Sequence, residues 1–193
     1  MKKDIILAGV GGQGILSIAA TIGTAAIDLN LQLKQAEVHG MSQRGGDVQS
    51  HLRLSSEDIA SDLIPEGKAD LIISIEPMES LRYLPLLSKD GWIIANNQPF
   101  VNIPNYPEMN VILDKIKSIP NHIIIDADAI AKEIGSARSA NIVILGASAP
   151  FLDIEVSRLE KAIKTIFASK GEDVVNVNLE AFRAGLNFSL TNK

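Results

Sequence analysis

The stretch Asp4-Ile5-Ile6-Leu7-Ala8-Gly9-Val10-Gly11-Gly12-Gln13-Gly14-Ile15 decides how the chain is read. Its apolar first half has the pattern of a strand covered on both faces. A cluster of glycines follows. After it comes an alanine-rich segment in which Ile15, Ala19, Ile22 and Ala26 recur near helical spacing. Strand, glycine turn, helix is the context in which Gly9, Gly11 and Gly14 make a G-x-G-x-x-G motif, with Gly12 and Gln13 completing the turn. In that motif one glycine makes the tight turn, one lets the backbone approach an anionic group, and one lets helix and strand pack closely. The N–H groups of the helix start face the anion with the positive end of the dipole. The alternative is an ordinary tight β–α turn that binds nothing.

The alternation of strand and helix continues along the chain. Residues 14–29 read as helix and 31–38 as a second strand. A polar, glycine-rich loop spans 39–46. Val48, Ser50, Leu52 and Leu54 then alternate with polar residues, which predicts a half-buried strand that is antiparallel or at an edge. The apolar run 70–75 predicts a buried parallel strand. Pro77, tolerated in a first turn, opens a helix expected to run through Leu87. Further strands are expected at 91–95 and 122–126, and helices at 127–134, 137–149, 154–169 and 174–188. The stretch 98–107, with three prolines, reads as a loop. The expectation is a single α/β domain over 1–193, a three-layer α/β/α sandwich with a mostly parallel, mixed sheet and a Rossmann-like first β–α unit.

Composition removes several function classes. The chain has no cysteine, so it offers no thiolate to an iron–sulfur cluster, no disulfide and no thiol nucleophile. His39, His51 and His122 are too scattered to suggest a zinc site, and Met41 has no partners as a metal ligand. The net charge of −5 leaves no basic stripe for nucleic acid, and 4% aromatic residues leave no base-stacking platform. No apolar run approaches the length of a membrane span, and no targeting signal is evident, which makes a cytoplasmic location the expectation.

In an open α/β sheet, ligands bind beyond the carboxyl ends of the strands. Two loops qualify: the glycine turn, and the segment after the second strand that contains Ser42, Gln43, Arg44, Gly45 and Gly46. Arg44 offers a planar fork suited to phosphate or carboxylate, and Ser42 and Gln43 offer neutral hydrogen bonds. The bland alternative is a solvated arginine beside a glycine turn. Glu37 lies near where an acidic residue would hold an adenine ribose, which is the one argument for a free-standing NAD(P)-binding protein. It reads better as structural or as part of a subunit contact. The turn is not a P-loop, because Ile15 stands where Lys and Ser/Thr would be needed. Asp126 and Asp128 read as helix-start residues, and His51 as a structural histidine.

With the glycine turn and the Ser42-Gln43-Arg44-Gly45-Gly46 loop in hand, the chain resembles the gamma-type subunit of 2-oxoacid:ferredoxin oxidoreductases. It is similar above all to the small (beta) subunit of the indolepyruvate branch. The segments 76–82 and 178–185 and the pair Asn96-Asn97 carry the resemblance across the chain. The resemblance implies oxidative decarboxylation of an aryl 2-oxoacid to an acyl-CoA, with electrons passed to ferredoxin. It implies thiamine diphosphate, magnesium and iron–sulfur clusters on a large alpha subunit, with no catalytic residue, metal or such cofactor on this chain. Pyruvate, 2-oxoisovalerate or 2-oxoglutarate enzymes are the alternative branches. Coenzyme A is the implied ligand of Gly9, Gly11, Gly12, Gln13, Gly14 and the 42–46 loop, which could equally dock the partner.

Overall fold

The N-terminal apolar run forms strand β1 (Lys2–Val10), buried from Asp4 to Val10. The computed structural model describes residues 1–40 and 45–192. Helix α1 (Ile15–Asp28) follows the glycine turn. Strands β2 (Gln32–His39) and β3 (Asp47–Ser55) come next. After β4 (Ala69–Ser74), α2 (Pro77–Arg82), β5 (Leu87–Asn96), α3 (Met109–Lys117) and β6 (His122–Ile125), the chain ends in α4 (Ala127–Glu133), α5 (Ala140–Ser148), α6 (Val156–Phe167) and α7 (Glu172–Asn192).

The six strands lie in the order β2-β3-β1-β4-β5-β6. β1, β4, β5 and β6 are parallel, and β3 runs against β1 on one side and β2 on the other. β2 therefore points the same way as β1, and the sheet is mixed but mostly parallel, as expected. β3 is antiparallel, in keeping with its alternating pattern, but it is interior. Segment 56–68 explains its burial on the polar face: Ile64 donates its N–H to His51 Nδ1 at 3.0 Å, and Arg53 donates to the Ser61 and Leu63 carbonyls.

Ile5, Leu7, Leu71, Ile73 and Ile94 face a core built with α1, α5, α6 and α7. Ile6, Ala8, Ile72 and Ile93 face a smaller core with Ile112 and Ile116 of α3, Tyr83 and Ile64. Helices on both faces make a three-layer sandwich and explain why β1 and β4 read as continuous apolar runs.

Three sequence expectations change. The helix from Pro77 ends at Arg82, and residues Leu84–Leu86 form a 3₁₀ turn before β5. Pro85 is the cause: it lacks an N–H and disfavours helical geometry at Leu84. The helix expected over 137–149 begins with a 3₁₀ turn, Ala137–Ser139, and turns α-helical only at Ala140. Helix α3 was not foreseen, although Ile112 and Ile116 are its buried pair at helical spacing. No helix among the described residues is long and apolar enough to cross a membrane.

Candidate functional site at the carboxyl ends of the strands

The connections from β1 lead toward β3 and β2, and those from β4 lead toward β5 and β6. The gap between the carboxyl ends of β1 and β4 is thus the topological switch point, where α/β sheets place ligands. The glycine turn sits there. Gly9 packs against the turn and the start of α1: a Cβ at Gly9 would lie 2.9 Å from Gln13 Oε1 and 3.0 Å from Ile15 Cδ1. Gln13 closes the turn on itself, its Oε1 accepting from the Val10 N–H at 2.8 Å and its own N–H reaching the Val10 carbonyl at 3.1 Å. Gly14 is the N-cap of α1 at φ 83°, with no side-chain cap. Asn141 of α5 donates from Nδ2 to its carbonyl at 3.1 Å, and a Cβ at Gly14 would lie 2.5 Å from that same Nδ2. Gly12, at φ +100°, has nothing within 4 Å of where a Cβ would be, so its backbone is the open surface of the turn.

The second loop meets the first directly. Gly11 donates its N–H to the Gly46 carbonyl at 2.9 Å, so the N–H of Gly11 serves the junction between loops. Met41, Ser42, Gln43 and Arg44 lie outside the described residues. Gly45 is gripped in turn by Asn102, which donates from Nδ2 to its carbonyl. The loop 98–107 is therefore a third wall of the site. Its anchor is Glu76, fully buried at the N-cap of α2. The carboxyl of Glu76 accepts from the Tyr106 hydroxyl, from Phe100 N–H at 3.3 Å and from Glu79 N–H at 2.9 Å. Burial and the Glu76 carboxyl push the Tyr106 phenol up, which keeps it a donor. Glu79 is held above its ordinary value by burial, and the Arg82 guanidinium beside it, at 2.7 Å, works in the opposite direction.

Further along the same edge, Asn96 ties β5 to α4. It donates to Asp128 Oδ2 at 2.7 Å and to the Ile75 carbonyl at 3.3 Å, and accepts from Ala127 N–H at 3.0 Å. Two clefts flank Gly12 and Gln13. One, of about 470 Å³, runs over Ile75, Asn96, Gln98 and Phe100. The other, of about 520 Å³, opens toward Ser136, Lys170 and Val174. Arg138 and Asn141 line both.

The remaining sequence candidates lie elsewhere. Glu37 bonds His39 Nε2 at 2.5 Å and Gln35 Nε2 at 3.4 Å on the edge strand, with β3 between it and β1. Asp126 caps α4 by accepting from Ala129 N–H at 2.9 Å, while Asp128 also holds Asn96. His51 is structural. Asn141, Arg138, Asn102 and Glu76 were not singled out from sequence. Glu76 alone carried a signal, as the residue before a helix-opening Pro77. Among the described residues no group of three or more His, Asp or Glu could hold a metal ion.

The fold recurs in solved structures. The keto/oxoacid ferredoxin oxidoreductase gamma subunit of Geobacter sulfurreducens superposes with a TM-score of 0.70 at 23% identity, covering 98% of this chain and 99% of that one. A 2-oxoglutarate:ferredoxin oxidoreductase of Magnetococcus marinus, with 2-oxoglutarate, coenzyme A and succinyl-CoA bound, superposes with a TM-score of 0.78 at 24% identity. This chain is matched over 98% of its length and spans 31% of that larger one. In sequence, the indolepyruvate oxidoreductase subunit IorB of Archaeoglobus fulgidus is 35% identical, with 100% of this chain and 98% of that protein aligned. Residues 4–188, from the first buried position of β1 to the last turns of α7, match the pyruvate ferredoxin/flavodoxin oxidoreductase family, and the chain belongs to it.

Proposed function

We propose that this chain is the small subunit of an indolepyruvate-type 2-oxoacid:ferredoxin oxidoreductase of the cytoplasm. The complex would oxidatively decarboxylate an aryl 2-oxoacid to an acyl-CoA and pass electrons to ferredoxin. The observation that carries the reading is the convergence of three loops on the switch point, locked by Gly11 N–H to the Gly46 carbonyl and by Asn102 to the Gly45 carbonyl. Full-length similarity to an indolepyruvate oxidoreductase subunit supports the aryl substrate class.

The implied cofactors do not fit this chain. Without cysteine it has no thiolates for a cluster, and among the described residues no group of three or more His, Asp or Glu could hold a metal ion. Those groups are assigned to the large alpha subunit, and no step is routed through them here. The role left to this chain is recognition at Gly9, Gly11, Gly12, Gln13, Gly14 and the loop of Ser42, Gln43, Arg44, Gly45 and Gly46. There, coenzyme A meets the partner's reacting centre. A free-standing NAD(P) role is disfavoured because β3 occupies the place beside β1 that a ribose-binding strand takes in such proteins.

The test is reconstitution. The purified chain alone turns over no indolepyruvate with coenzyme A and an electron acceptor, whereas its mixture with the large subunit does. Turnover by the isolated chain, or a large subunit fully active without it, contradicts the assignment.

A further inference from the structure

Residues 98–107 are exposed over most of their length, yet they hold no charged side chain in a chain with 21% charged residues. Phe100, Val101 and Ile103 stand 43%, 67% and 38% exposed at the tip of this loop. The centres of protein–protein interfaces have the same composition: charge is depleted there, and aromatic side chains are enriched. Large apolar residues left exposed side by side are the usual mark of an interaction surface.

The tip is held in place. Pro99, Pro104 and Pro107 fix φ at three positions. From inside, the fully buried Glu76 accepts from the Tyr106 hydroxyl and from the Phe100 N–H at 3.3 Å. From the side, Asn102 holds the Gly45 carbonyl, and the Phe100 ring lies 3.6 Å from where a Cβ at Gly45 would stand. A buried carboxyl is costly unless its oxygens are hydrogen bonded, and the loop supplies two of the donors. Preorganisation of this kind lowers the ordering entropy that docking would otherwise cost. The sheet also leaves the loop's side thinly covered. Helices α1, α5, α6 and α7 pack on the opposite face, whereas this one carries α2 and α3, only 6 and 9 residues long. Val38 of β2 is 51% exposed on it, facing the same way as Ala8 through the pairs Val38–Gln49 and Gln49–Ala8.

We infer that Phe100, Val101 and Ile103 form a docking surface for the large subunit, which meets them with an apolar, uncharged socket. The choice of occupant rests on the function proposed above, in which a cofactor-bearing partner must reach the glycine turn. The loop borders the cleft that runs from Gly12 to Asn96, so a partner seated on its tip covers that turn as well. A second copy of this chain seated there would instead close the carboxyl end of the sheet against a chain without cofactors.

The test is the affinity of the full chain for its large subunit by biolayer interferometry, with self-association followed by sedimentation velocity. Val101→Asp and Ile103→Asp each weaken the complex by about tenfold or more, because the aspartate must give up its water inside an apolar socket. Ile27→Asp is the control. Ile27 is 65% exposed, close to Val101, but it lies on α1, beyond the opposite face of the sheet. Its variant stays within about twofold of the parent. All three positions are exposed, so circular dichroism matches the parent's throughout. Loop variants that bind as tightly as the parent, or an Ile27→Asp that weakens binding as much as they do, overturn the docking surface. So does a dimer of the parent chain that Val101→Asp dissolves while the complex survives. Indifferent loop variants in a complex that oxidises indolepyruvate leave the oxidoreductase reading standing. A complex that depends on the loop but oxidises no 2-oxoacid does the reverse, and a parent chain that binds no large subunit overturns both.

Discussion

Gly146 of α5 and Gly185 of α7 lie where the two helices cross backbone to backbone. A Cβ at Gly146 would sit 2.0 Å from the Phe182 carbonyl oxygen, and one at Gly185 would sit 1.9 Å from the Val143 carbonyl oxygen. α5 packs on β4, β5 and β6 as well as on α7, so α5 has no room to withdraw from the crossing. The crossing also fixes the height of Asn141 one turn earlier, and with it the grip on Gly14. Gly185→Ala should cost about 3 kcal/mol or more, since the obstruction is backbone and no rotamer relieves it. Chemical denaturation measures this; a loss under about 1 kcal/mol would mean that the helices are not in this contact.

Glu76 is a clasp. Both carboxyl oxygens are occupied by donors from α2 and from the 98–107 loop. Glu76→Gln keeps the size but sets an NH₂ group against one of those donors, so a loss of about 2 kcal/mol is expected. Hydrogen exchange at the Phe100 amide should rise with it. Tyr106→Phe, which removes one donor, should cost about 1 kcal/mol. Unchanged exchange at Phe100 in Glu76→Gln would show that the loop is held by something else.

His51 predicts a pH dependence. Burial holds its imidazole below the usual value of 6.5, with Arg53 adding to the effect and Asp62 opposing it. The folded protein therefore binds fewer protons than the unfolded chain below about pH 6.5, and stability falls as pH drops through that window. His51→Asn, whose Oδ1 stands near the position of Nδ1, can still accept from Ile64 N–H but does not titrate. Its melting temperature should fall less between pH 7 and pH 5.5 than that of the parent. Parallel slopes for the two proteins would remove His51 from the acid response.

How much of this could be read from sequence depended on the range of the contact. β1, α1 and β4 were legible because a buried strand and an amphipathic helix write their burial into consecutive residues. The stop at Arg82 was legible in principle, since Pro85 is local, but the apolar residues 84–87 masked it. The order of the strands was not legible. The alternation of β3 marked it as antiparallel, yet nothing local said that it would stand between β1 and β2 and so take Glu37 away from the glycine turn. Asn141 was invisible for the same reason: it meets Gly14 across 127 residues, and no local spacing announces such a pair. The glycine motif announced the site, whereas its walls at Glu76, Asn102 and Arg138 come only from the packing.

The central claim is that the carboxyl end of the sheet is the working face. Gly12 and Gly67 provide a matched pair to test it. Both have positive φ, 100° and 67°, and neither has an atom within 4 Å of an added Cβ. Gly12 lies at the switch point, while Gly67 lies just before β4, at the opposite end of that strand. Gly12→Val and Gly67→Val both force a β-branched residue to positive φ, the first farther from the left-handed region, so each is first shown to fold by circular dichroism. Only Gly12→Val puts bulk on the proposed working face. In the reconstituted complex, the account predicts that Gly12→Val lowers kcat/KM for coenzyme A, or affinity for the large subunit, by about tenfold or more, with Gly67→Val within about twofold of the parent. Equal behaviour of the two variants, or an unaffected Gly12→Val, would contradict it.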